Sequence, residues 1–485
     1  MADPTIGDLA KQLADTQTAL NIVWTMVAAF LVMFMQAGFA LVETGLTRAK
    51  NVAHTMAMNF LVYSIGILGF WAIGFGLQMG GMGGMATFGG DATLSSEFSL
   101  TLAGKDFGLF GMAGFFLSPQ VFTPAVAAMF IFQMVFMDTT CTIPTGAMAE
   151  RWRLTPFVIF SFVIATLIYP IYANWVWGGG WLSTLGKNFG LGHGHVDFAG
   201  SSVVHLTGGV MALVLAKLIG PRIGKFGKDG RPRAIPGHNV PMVVTGTFIL
   251  AFGWFGFNAG STLAGMDTRL TVVAVNTMLA SASGAFASFL WMKFRFGKPD
   301  PTMMCNGMLA GLVAITAPCA FVTAPSAIII GGVAGVLVIV AAMFIENTLK
   351  IDDPVGAGAV HGVNGAWGIV ALGLFADGRY GDGLNGVSGG VRGLFYGDSG
   401  QFIAELIGIF ANIVYVGVTA AVAYKVINVF SPHRSPVEDE VGGLDIPEMG
   451  IEGYSVEQSR SGAPEASAAM GAQKAAPVPV LAEAR

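Results

Sequence analysis

Val196 to Val210 reads V-D-F-A-G-S-S-V-V-H-L-T-G-G-V. The stretch sets an acid, Asp197, at the mouth of an apolar helix and places His205 about two turns inside it. A second stretch, Gly358 to Gly365 (G-A-V-H-G-V-N-G), gives His361 the same kind of surroundings. Both imidazoles stand among small and apolar residues, in segments hydrophobic enough to lie inside a bilayer. An ionisable group at that depth is expensive and marks a functional site by default. The two rings are expected to face each other inside a pore that the rest of the chain holds and gates.

Composition points the same way. The 485 residues are 54% hydrophobic and 11% charged, with a mean hydropathy of +0.66, whereas soluble domains carry about a quarter charged residues. Abundant Gly (68) suits closely packed membrane helices. The net charge of -4 gives no sign of a nucleic-acid partner. Cys141, Cys305 and Cys319 lie in apolar runs without metal-ligand spacing and read as buried thiols. The first residues, M-A-D-P-T-I-G-D-L-A-K, lack the basic start and apolar core of a signal peptide, so the first hydrophobic run reads as a retained span.

Eleven runs are long enough to span a membrane: 22–44, 56–80, 124–148, 155–177, 200–219, 239–259, 271–294, 303–320, 325–346, 357–376 and 401–429. The expectation is an all-α polytopic membrane protein. Residues 1–21 form an extracellular N-terminus and 22–430 the eleven-span domain. Residues 431–455 form a cytoplasmic region, and the low-complexity tail 456–485 is disordered. Basic residues follow the odd-numbered spans: Arg48 and Lys50, Arg151 and Arg153, Arg222 to Arg233, Lys293 to Lys298, Lys350, and Arg434. The even-numbered connections hold only Lys105, Lys187, Arg269, Arg379 and Arg392. The positive-inside rule then puts the N-terminus outside and the C-terminus in the cytoplasm. His205 and His361 end two blocks of five spans. Five is odd, so the second block runs through the membrane inverted, as in transporters with a midplane site between repeats. The eleventh span is left over, and 81–123 reads as an extracellular cap.

Several strings occur in a fixed order: M-Q-A-G-F-A-L-V-E-T-G at 35–45, G-A-M-A-E-R at 146–151, V-W-G-G-G at 176–180, D-F-A-G at 197–200, P-M-V-V-T-G-T-F-I-L-A-F-G-W-F-G-F-N-A-G-S at 241–261, and D-D-P-V-G-A at 352–357 ahead of V-H-G-V. Over about residues 20–455 the chain resembles the ammonium transporter (Amt/Mep/Rh) family. The resemblance implies a homotrimer in the cytoplasmic (inner) membrane, with one pore per protomer and uptake of ammonium or ammonia. It implies an outer ammonium site of Phe136, Trp177 and Ser261, a stacked gate of Phe136 and Phe257, twin histidines His205 and His361, and Asp197 as the acid below the outer site. It also implies a tail that couples protomers and docks a trimeric PII-type signalling protein. No cofactor, metal or catalytic residue is implied, and the chain reads as a non-enzyme.

Chemistry supports that assignment, with rival readings beside it. Aromatic faces attract a small cation, a Ser hydroxyl accepts its hydrogen bonds, and desolvation pushes the proton off ammonium, an exit potassium lacks. An imidazole chain is a fitting proton carrier. Taken singly, Trp177 also fits an interfacial belt, the two Phe residues core packing, Ser261 a bond to its own helix, and each His a structural role. Asp197 is read first as a helix N-cap. Glu43 and Glu150 are read as structural, the latter near Arg151. Three positions depart from the family pattern: Asp138, expected to point away from the gate; Pro144, expected to kink the third span; and Met449, where the family carries His. An ammonium sensor with little conduction is the near rival. A membrane haem enzyme with His205 and His361 as axial ligands is the distant one.

Overall fold

The structure is a computed structural model that describes residues 5–454. The disorder expected for 456–485 therefore lies outside the described residues. Among the described residues, ten helices are long and apolar enough to cross a membrane: Ile6–Leu46, Ala49–Met79, Pro124–Met148, Leu154–Trp177, Ser201–Ile219, Val240–Thr262, Leu270–Phe296, Ala324–Asn347, Gly358–Phe375 and Ser399–Phe430. The eighth expected span is the apolar helix Pro301–Ile315, of only 15 residues. At 1.5 Å per residue it reaches roughly 22 Å, short of the ~30 Å hydrocarbon layer. It is mostly buried from Cys305 onward, and Thr316 just beyond it accepts the Trp254 indole N–H at 2.9 Å. The apolar pattern at 303–320 overran into the turn that follows.

The first helix starts at Ile6, well ahead of the apolar run. Thr5 and Asp8 close a capping box there, with Asp8 N donating to Thr5 Oγ1 (3.2 Å) and Thr5 N to Asp8 Oδ2 (2.9 Å). Most of residues 1–21 is thus a continuation of the first span. Between the second and third spans, Glu97–Leu102 pairs antiparallel with Lys105–Gly111, so the helical fold carries one two-stranded hairpin. The third span runs through Pro144 to Met148. Asp138 lies on the side where Gly66 of the second span packs, as expected of a residue turned from the gate.

Glycines set the packing of the two five-span blocks. A Cβ on Gly38 of the first span would stand 2.9 Å from Gly246 O in the sixth, and one on Gly246 would stand 2.7 Å from Gly38 O. The fifth and tenth spans cross in the same reciprocal way. A Cβ on Gly209 would meet Gly362 N at 2.1 Å, and one on Gly365 would meet Leu206 N at 2.8 Å. Each residue in the second contact is the one in the first moved by the 156 positions that separate His205 from His361. Such exchange of partners is what a two-fold relation between inverted blocks requires. The eleventh span stands outside the pairing and packs on the fifth.

Arg48, Lys50, Arg151, Arg222 and Arg434, which follow odd-numbered spans, gather on one face, the basic face. Glu150 there pairs with Arg48 and with Arg222 (2.9 Å) rather than with Arg151, whose guanidinium donates to the carbonyls of Ala149, Gly220 and Asp352. Burial alone would raise the Asp352 carboxyl, but bonds from Arg222 and the charge of Arg151 hold it near 2. Residues 431–454 fold onto this face. Lys50 Nζ donates to Glu440 O (2.7 Å), Leu444 N to Asn51 Oδ1 (2.9 Å) and His54 N to Asp445 Oδ1 (2.9 Å).

Gly209→Ala should force the fifth and tenth spans apart and destabilise the protein by roughly 1–3 kcal/mol, the usual range for overpacking. Gly332→Ala, where nothing lies within 4 Å of the added carbon, should not. Thermal unfolding of the two variants in detergent compares them directly.

Candidate functional site

Both histidine helices open irregularly. Ser201–Leu206 and Gly358–Val363 wind as π-turns, a form found mostly at functional positions. Each is entered through a left-handed glycine, Gly200 (φ 116°) or Gly356 (φ 78°), whose backbone a Cβ would strain. A helix start buried in a membrane leaves N–H groups without water, and an acid three residues before each glycine meets them. Asp197 Oδ1 accepts from Gly200 N and Ser201 N (both 2.9 Å). Its Oδ2 accepts from Ser202 N (2.7 Å), Val203 N (2.9 Å) and Ser202 Oγ (2.7 Å). Asp353 does the same for the tenth span, accepting from Gly356 N (3.0 Å) and Gly358 N (2.7 Å). The N-cap reading of Asp197 matches this geometry. Asp353 was missed, although its eight-residue spacing to His361 repeats that of Asp197 to His205.

The π-turns deliver the two imidazoles to one point. His205 Nδ1 and His361 Nδ1 lie 3.1 Å apart, the rings 5.2 Å between centroids and 24° from parallel. Two facing nitrogens at that distance share one proton, one ring donating and the other accepting. Both side chains are buried. A haem iron bound between them would need two bonds of about 2 Å on opposite sides, for which 3.1 Å leaves no room.

On the hairpin side, the rings continue upward. Phe257 stacks over His205 (5.4 Å) and Phe136 over Phe257 (4.2 Å, 26°), while Trp177 meets Phe136 edge-on at 6.0 Å. Trp254 flanks His205 at 5.3 Å, so its ring is held between aromatic faces. Above the phenylalanines opens a cavity of about 260 Å³, lined by Phe136, Trp177, Ser261, Phe198, Gln133 and four methionines. The three residues assigned to an outer site thus share one wall. The Trp177 indole donates to Asp197 O (2.7 Å), which ties this wall to the acid beneath it. Ser261 Oγ donates to Phe257 O (2.8 Å), leaving its lone pairs for an incoming donor.

On the basic side, His361 and Phe39 (6.0 Å between rings) border a void of about 20 Å³, and a cavity of about 480 Å³ follows, lined by Asn306, Asp353 and Val355. Glu43 borders the small void and accepts from Asn59 Nδ2 (2.8 Å) and Thr145 Oγ1 (2.6 Å). The lane therefore runs from cavity to cavity through stacked rings. His195 and Glu405, buried beside Asp197, were also missed; an acid in the apolar run Q-F-I-A-E-L-I-G was the available signal for Glu405.

Residues 23–454 match the Ammonium Transporter Family. The chain belongs to the ammonium transporter family. It is 42% identical to ammonium transporter Amt2 of Archaeoglobus fulgidus, over 93% of this chain and 92% of the relative. Among solved structures, a protein described as a sensor Amt protein aligns with a TM-score of 0.77 at 34% identity, covering 90% of this chain and 99% of its own. Mep2 of Candida albicans aligns at 0.72 and 27% identity, covering 87% of each chain.

Asp197→Ala should cost roughly 3 kcal/mol, because it strands several buried donors, and Asp353→Ala about half as much. Equal losses in denaturant unfolding would contradict the unequal capping.

Proposed function

We propose that each protomer conducts ammonium across the cytoplasmic membrane, with the basic face inward, the N-terminus outside and the assembly a homotrimer. The cation rests in the outer cavity against Phe136 and Trp177, whose faces attract it, and hydrogen-bonds to Ser261. The Phe136–Phe257 stack bars a hydrated ion. Ammonium can shed its proton where water is lost and pass as ammonia, whereas potassium has no neutral form. His205 and His361, joined through one shared proton, then receive and pass on the proton. The observation that carries this reading is the unbroken sequence of rings from the outer cavity to the paired imidazoles. The tail packed on the basic face suits a regulatory site, and a PII-type signalling protein is the partner proposed for it.

One observation favours a second reading, a sensor that binds at the outer cavity and conducts little: the sensor Amt protein is 34% identical and aligns over almost its full length. Currents in proteoliposomes under ammonium, methylammonium and potassium gradients separate the two. Conduction predicts current for both amines and none for potassium. His205→Ala combined with His361→Ala should lower the ammonium current on the order of 10²-fold, the usual contribution of a positioned proton-transfer group. Phe257→Ala should admit potassium. A silent wild-type protein that still binds methylammonium would favour the sensor, and unchanged flux in the double variant would reject the histidine assignment.

A further inference from the structure

Beside the lane, a row of buried polar groups links the eleventh span to Asp197. Glu405, His195, Ser202 and Asp197 are all buried. His195 Nδ1 stands 2.6 Å from Glu405 Oε2, and its Nε2 stands 2.9 Å from Ser202 Oγ. Ser202 Oγ in turn donates to Asp197 Oδ2 at 2.7 Å. The other carboxylate oxygen, Glu405 Oε1, accepts from Gln401 Nε2 (2.6 Å) and Val196 N (3.1 Å). The imidazole lies flat on the backbone of the eleventh span, since a Cβ on Gly408 would stand 2.2 Å from its Nδ1.

Counting protons fixes the charge of this row. Asp197 takes two N–H bonds on each oxygen, so it acts as an acceptor and takes the single proton of Ser202. Ser202 Oγ can then only accept from His195, which puts a hydrogen on Nε2. At 2.6 Å, Nδ1 and Oε2 are too close for two unprotonated atoms, so the contact is an ion pair with His195 protonated on Nδ1 as well. With both hydrogens, His195 forms an ion pair with Glu405 through Nδ1 and meets Ser202 through Nε2, between two carboxylates. Burial alone would lower the His195 pKa, but Glu405 and Asp197 together raise it above its ordinary value. The remaining facing groups leave this balance intact. Tyr172 of the fourth span donates its hydroxyl to Gly408 O (3.2 Å) and stands 3.5 Å from His195 Nε2, and Tyr169 and Cys319 lie near Asp197.

We infer that His195, held as an imidazolium by Glu405, is a positioning residue that keeps Ser202 and Asp197 in the capping arrangement beneath the outer cavity. Without the Glu405 charge, burial lowers the His195 pKa and the ring loses a proton more readily. Once it loses a proton, Nε2 competes with Asp197 for the Ser202 hydroxyl and the cap of the His205 helix loosens. A base gives up its contribution as pH rises through its pKa, so the defect appears on the alkaline side.

The transport arm of the test rests on the conduction reading above; the spectroscopic arm does not. Ring 15N NMR on histidine-labelled full-length protein should show a doubly protonated imidazole persisting above the free value of ~6.5. That signal should be missing from His195→Gln. In proteoliposomes, methylammonium uptake by Glu405→Gln should fall about tenfold from roughly pH 5.5 to 8, one order of magnitude per ~1.4 kcal/mol, and Glu405→Asp should restore the wild-type profile. A wild-type protein without uptake would remove the conduction reading and leave the NMR result to decide His195. A singly protonated His195 at about pH 7, or Glu405→Gln and wild-type profiles that overlay, would overturn the inference.

Discussion

The fold depends on one close crossing, where the fifth and tenth spans touch backbone to backbone at Gly209, Gly362 and Gly365. Lipid supplies no hydrophobic force between helices, so close approach through small residues provides the attraction instead. The crossing also places the two helix starts, with their unmet N–H groups, at buried positions. A bilayer does not forgive unmet backbone donors, and Asp197 and Asp353 meet them. The acids at the two pore mouths are therefore first a structural solution.

What the crossing presents is a dry column. The stacked phenylalanines, the Trp254 face and the paired imidazoles leave little space until the cavity on the basic side. An aromatic face attracts a bare cation by about 0.5–2 kcal/mol, far less than losing its hydration costs. On the conduction reading proposed above, selectivity would follow from chemistry more than from fit, because an amine can leave its charge behind and an alkali ion cannot.

Much of this was legible in the chain. Apolar runs located ten spans, and the two histidines in small-residue surroundings located the centre. The family strings brought Phe136, Phe257, Trp177 and Ser261 to one cavity wall. The misses have physical causes. Hydropathy reads the bilayer and says nothing of helix beyond it, so the capped start at Ile6 went unseen and the turn after Ile315 was absorbed into a span. Asp353 was hidden behind Asp352, although its distance to His361 and the intervening glycine repeat the Asp197 pattern. Glu150 was read as structural and near Arg151, but its partners, Arg48 and Arg222, come from other connections. His195 had no local signal at all, because its partner Glu405 lies 210 residues away, in a helix outside the repeat.

That helix breaks the symmetry of the two blocks. The backbones around His205 and His361 follow one plan, yet their acids are wired differently. Asp353 caps its turn next to Asp352, which is held by Arg222 on the basic face. Asp197 caps its turn through more donors and is joined by Ser202 and His195 to Glu405 on the eleventh span. A two-fold repeat alone would make a passage with two equivalent ends. The unpaired helix adds the Glu405 carboxylate, which pairs with His195 of the connection before the fifth span, at one end only, and arginines pair with the acids at the other. The asymmetry of the two ends comes from these added charges, since the repeated helices follow one plan.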